Sequence, residues 1–286
     1  MNQFRLDKRL FGLGSYAFRH AISSKTRPMD AEAFILNAAD LGFQRVLACE
    51  NLNFHKEGVH YFEQLKKIMS ERNIIAETGM KGISLEEIKR HVEISSILGS
   101  PLLRLVIGEN GGNTPEGKIR VKNDTCRVLE KVLPLLENND LILGIENHFD
   151  LSTGDICDIV NHFNSRNIAL IYDSTNGTGL LEKPFETLEK MKTRIVSAHI
   201  KNFISKKIDG GYYLAGTDLN EGDLDIKELV YKILEYNPRC SIIVEYNINP
   251  GKSMEENELL QWERDHIVIN STYLKSILFA YSDIKA

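Results

Sequence analysis

Eight short apolar runs, each followed by a segment with helical periodicity, constrain the fold of this chain more than any other feature. The runs are continuously apolar and do not alternate strictly, which is typical of parallel strands buried on both faces. They are 11-FGLGSYAF-18, 44-QRVLACE-50, 73-NIIAET-78, 102-LLRLVIG-108, 141-LILGIE-146, 168-IALIYD-173, 195-IVSAHIK-201 and 241-SIIVEY-246. The sequence therefore predicts eight strands.

The segments between these runs predict helices. In 30-DAEAFILNAADLG-42, Asp30 is a suitable N-cap, apolar residues recur at helical spacing, and Gly42 supplies the stop. Similar patterns cover residues 59–73, 84–99, 116–138, 153–167, 184–194, 225–237 and 255–282.

Eight strand-helix units in 286 residues fit a closed barrel better than an open doubly wound sheet, which usually has five or six strands. No Pro-rich or Ser-rich linker divides the sequence. We predict the α/β fold class, a single (β/α)8 TIM barrel domain over residues 1–286.

Composition lowers the expectation for several classes of protein. The formal net charge is −5, which argues against a nucleic-acid partner because a basic face is expected for one. No apolar run approaches the roughly 20 residues of a membrane helix, and the N-terminus lacks the apolar core of a signal peptide. We expect a cytoplasmic protein that does not bind membranes. The cysteines are scattered, at Cys49, Cys126, Cys157 and Cys240, and indicate neither a zinc knuckle nor a disulfide framework.

The last four strands end in residues that commonly bind metals. Barrel active sites lie at the carboxyl ends of the strands, where the ends of neighbouring strands converge. The four residues are Glu146, Asp173, His199 and Glu245. Three carboxylates brought together repel one another unless a cation lies between them. One divalent ion is therefore expected, and this donor set suits Mn²⁺, Mg²⁺ or Co²⁺ at least as well as Zn²⁺.

Each of these residues also has an ordinary structural interpretation. A glutamate that ends a strand is commonly a solvated or ion-paired rim residue, and a histidine within 195-IVSAHIKNF-203 fits a core position. Asp173 precedes Ser174 and Thr175, a pattern common in turns and helix caps. Four such residues at four successive strand ends favour one metal site over four coincidences.

With these residues in place, the chain resembles the xylose isomerase-like barrel superfamily and, within it, the sugar-phosphate isomerase/epimerase group. The motifs that carry the resemblance are 146-ENHFDLST-153, 172-YDSTNGTG-179, 199-HIKNF-203, 216-GTDLNEGDLDIKELV-230 and 243-IVEY-246. It implies that Glu146, Asp173, His199 and Glu245 bind one divalent ion. It also implies that the two glutamates act as acid and base on opposite faces of the bound sugar.

Three positions depart from the patterns of this group. Asn202 replaces the acid of the usual HxKD motif, and Asn220 replaces the first glycine of LGEG. Asn176 stands where ketose 3-epimerases have a histidine. These departures count against a ketose 3-epimerase and leave the predicted metal site intact.

Six further residues are candidate substrate-binding groups. Asn147 and His148 follow Glu146 directly, and Lys201 points the same way as His199 on an extended strand. Glu50 and Arg104 end or interrupt apolar strands, so each requires a partner, either the other residue or the substrate. Asn176 completes the set.

Together with these residues, the resemblance implies an enzyme that isomerises or epimerises a small sugar, keto-sugar or sugar acid. A carboxylate would remove a proton next to a metal-bound carbonyl to give an enediolate. A sugar or keto-inositol dehydratase on the same site is the alternative. A non-enzymatic sugar-binding barrel and an apurinic endonuclease-like hydrolase are more distant ones. The expected partner is a small-molecule sugar. The sequence is also compatible with a homo-oligomer.

Overall fold

A closed barrel of eight parallel strands forms the centre of the molecule in the computed structural model, which describes residues 7–108, 114–246 and 248–285. The barrel strands are β1 Phe11–Gly14, β2 Arg45–Ala48, β3 Ile75–Lys81, β4 Leu102–Val106, β5 Ile142–Glu146, β6 Ile168–Asp173, β7 Ile195–Ile200 and β10 Ser241–Val244. They pair in chain order, and β10 closes the barrel against β1. The predicted (β/α)8 barrel is confirmed.

Helices surround the barrel. They are α1 Arg19–Ile22, α2 Ala31–Asp40, α3 Val59–Arg72, α4 Leu85–Leu98, α5 Pro115–Asn138, α6 Thr153–Asn161, α7 Pro184–Met191, α8 Ile226–Tyr236 and α9 Glu256–Lys285. The predicted cap is observed at α2, where the Asp30 side chain accepts a hydrogen bond from the Ala33 N–H (2.8 Å). No helix within the described ranges is both long enough and apolar enough to cross a bilayer.

Two strands end three or more residues away from the predicted position. The first run was expected to be extended as far as Phe18, but β1 ends at Gly14 and residues Ser15–Phe18 form a 3-10 turn. The Ser15 hydroxyl donates to Asn51 Oδ1 (2.6 Å) and accepts from the Cys49 N–H (3.0 Å), which ties this turn to the end of β2. The third strand, expected to end at Thr78, continues to Lys81.

An antiparallel hairpin, which the sequence analysis did not predict, interrupts the strand-helix alternation after β7. It consists of β8 Asn202–Ile208 and β9 Gly211–Thr217. The turn contains Asp209 and Gly210, and Gly210 has a φ of 77°, which a glycine adopts without strain. The Asp-Gly dipeptide between two β-rich segments was the available sequence signal.

A buried ion pair lies inside the barrel at its amino-terminal end. Arg45 Nη1 is 2.7 Å from Glu77 Oε1, and the side chains are 9% and 1% exposed. Ser197 donates to the second oxygen of Glu77 (3.2 Å). Gly12 makes room for the pair, because a Cβ there would lie 3.0 Å from Arg45 Cγ and 2.7 Å from Ile243 Cδ1.

We expect Arg45→Met to lower the free energy of unfolding by about 3 kcal/mol or more, because it leaves the buried Glu77 carboxylate without its cation. The measurement is urea unfolding followed by circular dichroism. Arg166→Met is the control, since its pair with Asp140 is 83% and 84% exposed and should contribute about 0–1 kcal/mol. Equal losses in the two variants would contradict the prediction.

Candidate active site

Strand register brings the predicted metal ligands to one side of the barrel mouth. Asp173 on β6 is aligned with His199 on β7, and Ile243 on β10 is also aligned with His199. Glu245 lies two residues after Ile243 and so points in the same direction, one step nearer the mouth. Glu146 ends β5 next to β6.

Three of the four predicted ligands form a compact cluster. One donor atom from each of Glu146, Asp173 and His199 lies within 4.8 Å of the others, and all three side chains are buried. Glu245 lies beside the cluster, with its Oε1 3.9 Å from His199 Nδ1. Glu245 packs directly on the backbone of β1, because a Cβ at Gly14 would lie 2.7 Å from Glu245 Oε1.

Amide groups fix the orientation of the cluster. The Asn147 side chain accepts from the Asp173 N–H (2.7 Å) and donates to the Asp173 carbonyl (3.0 Å). Asp173 Oδ1 accepts from the backbone N–H groups of Thr175 (2.9 Å) and Asn176 (2.8 Å). The Asn176 side chain donates to Glu146 Oε1 (2.9 Å). Asn176 therefore positions the Glu146 carboxylate, and Asn147 holds the backbone that carries Asp173.

Arg104 supplies positive charge on one side of the cluster. Its Nε lies 2.5 Å from Glu146 Oε2, and its Nη1 lies 3.0 Å from Glu50 Oε2. Tyr16 donates from its hydroxyl to Glu50 (3.0 Å). Burial opposes ionisation of Glu146, but the charges of Arg104 and His199 hold the pKa of Glu146 well below its usual value. Glu50 and Arg104 thus pair with each other, and both also face the pocket.

Lys201 supplies positive charge on the opposite side. Its Nζ lies 2.8 Å from Asp173 Oδ2 and 3.0 Å from Glu245 Oε2. Burial would lower the pKa of Lys201, but the carboxylates of Asp173 and Glu245 raise it, so the ammonium stays protonated. Glu245 therefore has one oxygen paired with Lys201 and the other directed at the cluster.

The donor atoms fit a divalent cation. His199 Nδ1, which faces the carboxylates of Glu146 and Glu245, and Glu245 Oε1 are buried, and neither has a hydrogen-bond partner among the residues that the structure describes. A buried imidazole nitrogen and a buried carboxylate oxygen without partners are costly. An ion bound by the three clustered side chains and by Glu245 Oε1 would satisfy both atoms, with Lys201 retaining the second oxygen of Glu245.

A pocket of about 600 Å³ opens above the cluster. The predicted residues on its wall are Glu50, Arg104, Glu146, His148, Asn176, Lys201 and Glu245. Asn147, Asp173 and His199 are buried behind the wall, at 1%, 1% and 0% exposure. His148 Nδ1 lies 3.3 Å from Asp150 Oδ2, and Asp150 accepts from the Gly108 N–H (2.7 Å). The N-cap of α6 is Ser152.

Sequence reasoning missed several residues of the pocket wall. They are Tyr16, Arg19, Lys81, Phe203 and Leu214. Lys81 was missed because the third strand was ended three residues early. Phe203 and Leu214 belong to the unpredicted hairpin. Tyr16 and Arg19 were missed because residues 15–18 were taken as strand.

Comparisons with known proteins agree with the barrel fold. A sequence model of the family described as xylose isomerase-like TIM barrel matches residues 35–267. The chain is 25% identical over 258 residues to 3-oxo-isoapionate decarboxylase of Pectobacterium atrosepticum, a match that covers 88% of this chain and 92% of that protein. The matched relatives therefore include an enzyme over nearly the full length.

Solved structures agree in fold. The IOLI protein, solved with a zinc atom, superposes with a TM-score of 0.68 at 14% identity, covering 92% of this chain and 98% of that one. D-psicose 3-epimerase of Clostridium cellulolyticum, solved with D-tagatose, superposes with a TM-score of 0.68 at 12% identity, covering 94% and 99%. At these identities the likeness shows the shared barrel alone.

We expect the wild-type protein to bind one Mn²⁺ per chain, and Glu146→Gln and His199→Ala to weaken that binding by about 100-fold or more, because each removes a donor. Asn147→Ala should weaken it by about tenfold through Asp173. Isothermal titration with Mn²⁺ measures the affinities. Glu130→Gln on the surface of α5 is the control. The metal site would be refuted if the wild type retained no divalent ion at saturating Mn²⁺ or Mg²⁺.

Proposed function

The chain belongs to the xylose isomerase-like TIM barrel family, and from this premise we propose that it is a metal-dependent enzyme that isomerises or epimerises a small sugar, keto-sugar or sugar acid through an enediolate. One observation carries the proposal. Two carboxylates, Glu146 and Glu245, lie 3.3 Å and 3.9 Å from the same nitrogen of His199 at the floor of the pocket. A carbon placed above this floor has a proton acceptor within reach. We further propose that residues 1–286 form one domain.

The proposed ligands of the ion are Glu146, Asp173, His199 and Glu245. When bound, a divalent ion such as Mn²⁺, Mg²⁺, Co²⁺ or Zn²⁺ supplies positive charge that stabilises the developing negative charge on the substrate oxygen. Because this donor set is rich in oxygen, it suits Mn²⁺ and Mg²⁺ as well as Zn²⁺.

Glu245 is the better placed of the two carboxylates to take a proton. Both oxygens of Glu146 are engaged, Oε1 by Asn176 and Oε2 by Arg104. Glu245 Oε1 has no hydrogen-bond donor within the described part of the chain, so an ion bound to it leaves its second lone pair for a proton. A single base that carries a proton between neighbouring carbons on one face performs an aldose-ketose isomerisation. Epimerisation would require Glu146 as well, on the opposite face.

Lys201 and Arg104 complete the proposed machinery. Lys201, 3.0 Å from Glu245 Oε2, keeps that oxygen occupied and directs the other toward the pocket. Both cations line the pocket. Their charges lower the cost of forming an anionic intermediate in the pocket.

We expect the wild-type enzyme loaded with Mn²⁺ to exchange one carbon-bound proton of its substrate for deuterium in deuterated water, because enediolate formation precedes every product. A panel of ketoses, sugar phosphates, sugar acids and keto-inositols is screened by NMR. Glu245→Gln should abolish exchange even at Mn²⁺ concentrations that saturate its weakened metal site, whereas Glu130→Gln should exchange normally. Exchange at the wild-type rate in Glu245→Gln would refute the assigned base.

Decarboxylation of a small oxo sugar acid is a second candidate, favoured by the decarboxylase to which the chain is similar over 88% of its length. In this reaction the bond to the carboxylate carbon breaks, CO₂ leaves, and the electron pair forms an enolate at the oxo group. A proton is then added at the same carbon. The pocket wall contains two further cations, Arg19 and Lys81, that suit a carboxylate.

If the substrate is an acid, we expect Lys81→Met to raise its KM by about tenfold with little change in kcat, because Lys81 lies on the wall and contacts no proposed ligand. Steady-state kinetics with an acid and with a neutral ketose of similar size measure the effect. Lys89→Met, on the surface of α4, is the control. Equal KM changes for the acid and the ketose would contradict a carboxylate contact.

A further inference from the structure

A buried glutamate outside the candidate active site joins the long C-terminal helix to the segment that carries Arg19 into the pocket. Glu263 on α9 is 1% exposed. Its Oε1 accepts from the His20 N–H (2.7 Å) and its Oε2 accepts from the Ala21 N–H (3.0 Å). These N–H groups belong to the first turn of α1, where no intrahelical acceptor is available.

The clamped segment leads directly to the site. Residues 15–22 contain the 3-10 turn with Tyr16 and the helix α1 with Arg19, and both side chains line the pocket. Arg19 also donates to the Ile248 carbonyl, in the chain that leads from β10 to α9. The two backbone N–H groups that donate to Glu263, those of His20 and Ala21, therefore directly follow Arg19 in the chain.

We propose that Glu263 is a positioning residue that holds α1 against α9 and thereby places Arg19 on the pocket wall. Protonation of the Glu263 carboxylate weakens this attachment. The ionised form offers two acceptor oxygens to two backbone donors. The neutral acid carries a proton on one oxygen, so one of the two hydrogen bonds is weakened. Only the importance of Arg19 for a substrate rests on the proposed function.

The surroundings of Glu263 place its protonation near neutral pH. Burial, opposed by the two backbone hydrogen bonds and by Arg19, raises the pKa of Glu263 to about 7. Because the folded-state pKa lies above the ordinary value, the contribution of Glu263 to global stability falls as pH rises through about 7. The two hydrogen bonds from α1 to Glu263 strengthen over the same pH range. The attachment of α1 to α9 therefore becomes firmer while the contribution of Glu263 to the free energy of unfolding falls.

The effect of Glu263 protonation must be distinguished from the titration of other groups nearby. Arg19 and His20 face it from α1, and Tyr246, after β10, donates from its hydroxyl to the Glu263 carbonyl (2.9 Å). His266, three residues further along α9, is held by Asp218 (2.8 Å). Tyr16 directs its hydroxyl to Glu50 instead. Burial lowers the pKa of His20, so it titrates below Glu263.

The single tryptophan of the protein lies next to Glu263 in the sequence, so its fluorescence can report on the protonation of Glu263. Trp262 precedes Glu263, and its ring lies 6.3 Å from the ring of His20 and 4.4 Å from that of His266. We expect its fluorescence to titrate with a midpoint near pH 7 in the wild type and to lose that transition in Glu263→Gln. His20→Gln and His266→Gln should keep the transition. Loss of it in either histidine variant, with retention in Glu263→Gln, would overturn the proposal.

Glu256→Gln is the matched control for the clamp. Glu256 lies on the same helix and accepts from the Ser24 hydroxyl (2.7 Å) and the Lys25 N–H (3.0 Å), but it is only partly buried. Hydrogen bonds to Ser24 and Thr26 lower its pKa, so it remains ionised across the titration. We expect this variant to keep the fluorescence transition.

Hydrogen exchange tests directly whether the hydrogen bonds to Glu263 hold α1 in place. At pH 8, amide protection in a peptide covering residues 15–24 should fall by about tenfold in Glu263→Gln, because a charge-assisted hydrogen bond is lost. Protection in β4 and affinity for Mn²⁺ should stay at wild-type values. Unchanged protection of residues 15–24, or a loss of Mn²⁺ affinity equal to that of Glu146→Gln, would overturn the inference. Failure of the proposed function leaves these measurements unaffected.

Discussion

The balance of charge at the barrel mouth is the constraint on which the rest of the site depends. Glu146, Asp173 and Glu245 are each almost fully buried, and isolated buried carboxylates are not stable in ionised form. Arg104 on one side and Lys201 on the other supply two fixed cations. A divalent ion fits as the third positive centre, since both fixed cations leave donor atoms of the cluster free.

The two fixed cations, Arg104 and Lys201, give Glu146 and Glu245 different chemical environments. Arg104 and Asn176 each donate to one oxygen of Glu146, which favours the ionised carboxylate and leaves a second lone pair on each oxygen for an ion, so this residue is poorly suited to carry a proton. Lys201 occupies only one oxygen of Glu245, which keeps the other available. Two glutamates at equivalent strand ends thus differ because of the neighbours that β4 and β7 provide.

The sequence allowed prediction of the barrel and of the four clustered strand ends, because both follow from local periodicity and from the alternation of side chains along a strand. It did not allow prediction of the hairpin β8–β9, whose exposed residues Tyr212 and Tyr213 carry no core pattern. Nor did it reveal Arg19 or Glu263. Their importance arises from a contact between residues more than 240 positions apart, which no local pattern encodes.

The site therefore consists of two structurally different parts. Glu146, Asp173 and His199 lie on or at the ends of hydrogen-bonded barrel strands, where a shift of one side chain would disturb the register of two neighbours. The opposite wall is built from the 3-10 turn after β1, helix α1 and the hairpin, which attach to the barrel through side-chain contacts such as those of Ser15 and Glu263. Changes in these attached segments alter the shape and charge of the pocket while the strand ends keep their geometry.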